Sequence, residues 1–196
     1  MCFAFQIKAH FKEVADYFEL QSQALQEYQP DLFANKPALT IMPNREPQVL
    51  TWGFQHPTLK KRVINARSET VATNPLFKSS FAKQRCLIPA TGFLEWGADK
   101  CKYLIQLDEP LFAFAGIWRA GEVTMLTCGP NEFMSTIHDR MPVILPRRSY
   151  DPWLHEGGKD LLQPYEGGMR SLRISEPAVK AEKKPEKKEH QGELFG

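Results

Sequence analysis

Residues 85–128 read RCLIPATGFLEWGADKCKYLIQLDEPLFAFAGIWRAGEVTMLTC, and the reading of this stretch decides the fold. It breaks into four apolar or alternating runs: RCLIPATGFLEW (85–96), KYLIQL (102–107), LFAFAGIW (111–118) and EVTMLTC (122–128). Gly, Asp and Pro separate them, so the pattern is that of consecutive strands joined by tight turns. Working toward the N-terminus, Asn74-Pro75 marks the start of a helix over 77–83, with Pro75 suited to a first turn. Val49–Phe54 reads as a short strand closed by the His56-Pro57 turn. Residues 29–47 hold several prolines and Asn35 and predict a loop. His10–Leu20 carries Phe11, Val14 and Phe18 at helical spacing, and CFAFQI (2–7) reads as a strand. Toward the C-terminus the pattern predicts a short helix over 131–137, a strand at MPVIL (141–145), a helical turn at 152–155 and a last strand at MRSLRIS (169–175). The expected fold is α+β: a single domain with a mainly antiparallel, barrel-like β-sheet core and helices packed around it.

The 196 residues are 42% hydrophobic and 24% charged, enough for one domain with its own core. The globular part is expected over 2–175. From 176 to 196 the chain turns charged and nearly free of apolar residues, which predicts a disordered tail. A net charge of +2 gives no global basic surface, so a nucleic-acid site has to come from a local Arg and Lys cluster. The cysteines Cys2, Cys86, Cys101 and Cys128 form no CxxC pair, which argues against a zinc ribbon or a thioredoxin-like site. No metal or cofactor is expected. Neither a signal peptide nor a membrane-length apolar run is visible, so a cytoplasmic monomer with free thiols is expected.

Cys2 is the most informative residue. Cysteine is small enough at position 2 for Met1 to be removed, and removal would leave an α-amine and a thiol on adjacent carbons. Such an amine titrates near 7.7–8.0 and is partly neutral at physiological pH. It can attack an aldehyde to give an imine, and the thiol can then close a five-membered thiazolidine. The other reading of Cys2 is a small residue at the start of a strand. His138, in IHDRMP, is either a proton shuttle or a structural histidine. Glu95, among Phe93, Leu94 and Trp96, suits a general acid if it is desolvated, and is otherwise the solvent-facing member of an alternating strand. Asn65 can hold a sugar or backbone oxygen. Arg67 and Arg140 can fork phosphates or form surface ion pairs. Trp52 either stacks on a base or belongs to the core.

Taken in order, TWGF (51–54), INARSET (64–70), RCLIPATGFLEW (85–96), KYLI (102–105), FAGIW (114–118), LTCGPN (126–131) and IHDRMPVIL (137–145) resemble the SRAP family, named for SOS-response-associated peptidases. The resemblance runs from Cys2 to about Ser175. It implies a compact α+β domain with an open, positively charged channel for single-stranded DNA, and a role in the DNA damage response. It further implies that Cys2 forms a thiazolidine crosslink with the ring-opened abasic sugar and that Asn65 orients the sugar and the Cys2 backbone. Glu95 would aid ring opening, His138 would assist Schiff-base chemistry, and Arg67 and Arg140 would hold flanking phosphates. The chain departs from the family's usual MCGR at Phe3 and Ala4, losing one cation. Leu94 replaces a common Tyr.

Two other readings stay open. One is a Cys2-dependent N-terminal-nucleophile peptidase or amidase, with Asn65 in an oxyanion hole. The other is a module that only binds single-stranded DNA. In the tail, Gln191-Gly192-Glu193-Leu194-Phe195 is similar to the short peptide by which bacterial proteins dock on the replication sliding clamp, or is a chance pentapeptide.

Overall fold

The run 85–96 forms two strands that belong to different sheets. The structure is a computed structural model that describes residues 2–21 and 28–176. In chain order the elements are β1 (Ala4–Gln6), α1 (Phe11–Phe18), β2 (Asp31–Phe33), β3 (Pro37–Ile41), β4 (Pro47–Trp52), β5 (Phe54–Gln55), β6 (Arg62–Val63) and β7 (Asn65–Arg67). Then follow α2 (Lys78–Lys83), β8 (Arg85–Ala90), β9 (Gly92–Trp96), β10 (Lys102–Leu107), β11 (Phe112–Arg119) and β12 (Glu122–Cys128). α3 (Glu132–Ser135), β13 (Met141–Pro142), β14 (Ile144–Leu145) and β15 (Met169–Arg173) complete the domain, with short 3-10 and π turns between β14 and β15.

The pairing β12–β4–β3–β8–β11 returns to β12, so five strands close a barrel. Closure is what removes the unpaired edges of a small sheet. Most neighbours are antiparallel, whereas β12 runs parallel to β4 through its first residues and to β7 through Met125–Thr127. A second, open sheet has the order β15-β10-β9-β1-β2 and is antiparallel throughout. The chain steps from barrel to open sheet at Thr91. Its N–H donates to Gln6 O at 2.8 Å, and its hydroxyl accepts from Lys8 N–H at 2.9 Å.

The two sheets share one core. Phe114 of the barrel meets Phe112, Phe5 and Phe93 edge-on at centroid distances of 5.3, 5.7 and 5.9 Å. Each such ring contributes roughly 1.5–3 kcal/mol by leaving water, and edge-on pairs add about 0.5–1.5 kcal/mol. Arg85 staples the outside of β8. Its guanidinium donates to Trp153 O, Phe81 O, Ala82 O and His155 O at 2.8–3.1 Å, satisfying carbonyls at the end of α2 and in the π turn over 152–156. All four cysteines are buried and free. Among the described residues no helix is long and apolar enough to cross a membrane.

Residues 29–47 are not a loop. They form β2, β3 and the first residue of β4, because Pro37 and Pro47 stand first in their strands, where a missing N–H costs no ladder bond. The expected strand over 49–54 breaks at Gly53, whose φ of +118° suits glycine, and a Cβ there would lie 2.8 Å from Arg62 Cβ. MPVIL divides into two short strands that pair with β12 and β11. The Gln191–Phe195 pentapeptide lies outside the described residues.

Candidate active site

Cys2, Asn65, Glu95 and His138 come from four distant segments and converge where the open sheet meets the barrel. β1 runs antiparallel to β9 with Ala4 opposite Leu94, which brings Cys2 to the Glu95–Trp96 end of that strand. β7 lies parallel to β12 with Asn65 opposite Met125. Asn65 Nδ2 donates to the backbone carbonyl of Cys2 at 2.8 Å. One of the two N–H groups of that carboxamide is therefore committed to positioning residue 2. Asn65 Oδ1 is buried and has no hydrogen-bond partner among the described residues. A buried acceptor left open in this way is costly unless a ligand donor meets it.

The Cys2 thiol is wholly buried and lies 3.3 Å from Ala4 O. Burial first, and the negative charge of Glu95 second, hold its pKa far above the ordinary thiol value. At neutral pH it is a thiol and not a thiolate, so it needs a base when it attacks.

Glu95 is that neighbour. It is only 1% exposed, so it is not the solvent-facing member of its strand; Trp96, 43% exposed, is. One Glu95 oxygen accepts from Trp96 N–H at 3.1 Å. Its Oε1 stands 3.9 Å from His138 Nε2, too long for a direct hydrogen bond but close enough for one oxygen atom to bridge both. The other ring nitrogen, Nδ1, accepts from Arg140 N–H at 2.9 Å and lies 2.8 Å from Asp139 Oδ1. The amide requires a lone pair there and the carboxylate a proton. Asp139 is 88% exposed, so water screens its hold on the ring.

Arg140 hangs from the same segment as His138. Its guanidinium forms a fork with Glu69, one arm at 3.0 Å, and donates to Thr127 O at 2.8 Å and Thr127 Oγ1 at 3.2 Å. Arg67, at the end of β7, is exposed and close enough to Glu69 to help hold that carboxyl below the usual range, after the larger effect of Arg140. Both arginines thus act on one carboxylate.

Trp52 does not belong to this surface. It is fully buried, its indole N–H donates to Ile64 O at 2.9 Å, and Phe5 packs edge-on at 4.9 Å. No ring face is left for a base, so the core reading of Trp52 replaces the stacking one. The exposed aromatic that sequence reasoning passed over is Trp96. It stacks with Phe3 at 6.0 Å and 20°, and the Lys102 ammonium lies 5.4 Å from the Trp96 centroid and 5.7 Å from that of Phe3. The signal was present: Glu95 and Trp96 are adjacent in a strand, so if one faces the core the other faces water. Beyond Trp96, Asp99, Tyr103, Thr136, Ile137 and Ser171 line an open cavity of ≈ 360 Å³ beside the site.

A β-barrel domain thus gathers a cysteine, a carboxamide, a buried carboxylate and an imidazole in one place, with Arg140 and the exposed Trp96 on neighbouring segments. The chain belongs to the SOS response associated peptidase (SRAP) family, whose pattern it matches over residues 1–180. It is 34% identical to the abasic site processing protein YoqW of Bacillus subtilis (strain 168), over 89% of this chain and 92% of that protein. It is 28% identical to the abasic site processing protein HMCES of Xenopus tropicalis, over 62% of this chain and 46% of that protein. Among solved structures, a protein from Bacteroides thetaiotaomicron superposes with a TM-score of 0.77 at 28% identity, covering 89% of this chain and 92% of that one.

Proposed function

We propose that this protein processes abasic sites in single-stranded DNA by trapping the opened sugar on Cys2 as a thiazolidine. The observation that carries the reading is the meeting of Asn65, Glu95 and His138 around a cysteine whose backbone carbonyl Asn65 holds. Removal of Met1 turns the residue-2 nitrogen into an amine, and the Asn65 bond to Cys2 O keeps that end of the chain in place.

The abasic deoxyribose is largely a closed hemiacetal, and a proton must leave its C1′ hydroxyl while another reaches the ring oxygen. Glu95 and His138, 3.9 Å apart, are spaced to pass that proton through one bound oxygen. The amine then adds to the aldehyde carbon, water leaves, and an imine results. The Cys2 sulfur adds to the imine carbon. Its proton passes to Glu95 and returns to the nitrogen, so the sum is aldehyde plus aminothiol giving thiazolidine plus water. Arg67 and Arg140 supply the cationic rim for flanking phosphates, and the face of Trp96 offers a shelf for a neighbouring base.

The test is a denaturing gel of mature protein incubated with single-stranded DNA carrying one abasic site. A band that survives denaturation is expected. It is absent with Cys2→Ala and with protein whose intact mass shows Met1 still attached. A stable band from either of those two proteins overturns the reading. Hydrolysis of peptides by the mature protein in the absence of DNA would favour the peptidase reading instead.

A further inference from the structure

Glu69 takes no part in the chemistry above, yet it occupies the guanidinium of Arg140 where an anion would bind, and it feels the charge of Arg67 as well. Three observations bear on its role. The Glu69–Arg140 contact is a fork, two guanidinium nitrogens on two carboxylate oxygens, the geometry by which arginine also grips phosphate. The pair is unevenly buried: the Arg140 side chain is 16% exposed and that of Glu69 52%, so the pair opens on the Glu69 side. Arg140 is also anchored without Glu69, since Thr127 O and Thr127 Oγ1 both accept from its Nη2. When the carboxylate swings away, the guanidinium stays in place.

We propose that Glu69 is a resident stand-in for a DNA phosphate, an affinity-setting residue that incoming DNA must displace from Arg140. The inference rests on the reading of Arg140 as a phosphate contact. Because Glu69 follows Asn65 and Arg67 on one segment, and Arg140 follows His138 on the other, the pair also bridges the two segments that carry the site. The apo protein is thereby kept assembled, and nucleic acid exchanges one anion for another without leaving Arg140 unpaired. An ion pair with one exposed partner is weak, so the cost of displacement is modest.

The experiment measures binding apart from covalent capture, by fluorescence anisotropy of an oligothymidylate with no abasic site at low ionic strength. Glu69→Gln is expected to bind about three- to five-fold more tightly than the unaltered protein, the amount a weak ion pair is worth. In an Arg140→Met background the same substitution is expected to change affinity by less than about 1.5-fold, because no fork remains to be released. Weaker or unchanged binding by Glu69→Gln alone overturns the proposal. So does an equal gain in both backgrounds, which would be general charge repulsion. If Arg140→Met, or Arg140→Lys should the first variant misfold, binds as tightly as the unaltered protein, the phosphate reading of Arg140 itself fails. If that variant binds weakly and Glu69→Gln still shows no gain, only the role of Glu69 falls.

Discussion

All six residues of β8 in the barrel are buried, whereas β15 at the edge of the open sheet buries none of its five. The contrast extends across the molecule. The barrel strands hold more of the core than the open sheet does, and Phe33, Trp96, Leu172 and Ile174 stand exposed on or beside the open sheet. Cys2 and Glu95 come from the open-sheet side; Asn65 and His138 lie on segments against β12. The chemistry therefore sits on a seam, with a closed scaffold holding one half and a more open surface presenting the other. Rigid support beside an accessible face suits a site that has to admit a polymer.

The sharpest way to break this comparison is to strike each half in turn. Phe114→Ala in the barrel is expected to cost about 3–5 kcal/mol, because the ring leaves a cavity among Phe5, Phe93 and Phe112. Urea titration measures it, and a loss under about 1 kcal/mol would show that the barrel does not carry the core. Trp96→Ala should weaken binding to undamaged single-stranded DNA by about 1–3 kcal/mol, the range for one base–aromatic stack, while leaving stability within about 0.5 kcal/mol. A variant that loses stability but not affinity would make Trp96 a packing residue.

The third prediction concerns the seam itself. Cys2 has a thiol pKa raised by burial, so the folded state keeps a proton that the unfolded chain releases above its ordinary value of 9.0. The stabilising contribution is therefore complete below pH 9.0 and declines as pH rises beyond it. Above that point the unaltered protein should lose about 1.4 kcal/mol per pH unit more than Cys2→Ala, read from denaturant titrations at pH 8 to 10.5. Parallel curves for the two proteins would mean that the sulfur is open to water. The smallest effect belongs to the outer sheet: Leu172→Ala, at a residue 59% exposed, should shift stability by under about 0.5 kcal/mol.

What could be read in advance follows the same division. The four runs of 85–128 are long and well punctuated, and their strands fall where the pattern puts them, save that the first run splits at Thr91. β2, β3 and β7 were invisible because they are short, two of the nearby strands begin with proline, and β7 exists only through its parallel partner β12. Periodicity reports a segment's own face and not its distant neighbour. For the site, residue types and motifs named Cys2, Asn65, Glu95 and His138, but nothing local says that Asn65 reaches a backbone carbonyl 63 positions away. Trp52 stayed open between two readings for a related reason: an indole in an apolar strand looks the same whether its face meets Phe5 or water.

The Asn65 bond has one more consequence. Because the carboxamide holds residue 2 by its main chain, that grip does not depend on which small side chain fills the buried place of the thiol. Placement and reactivity are thus separable properties here, one belonging to the scaffold and the other to a single replaceable atom. A serine installed at that seat would be presented in the same pose with oxygen in place of sulfur, which makes this domain a ready holder for comparing nucleophiles under identical geometry.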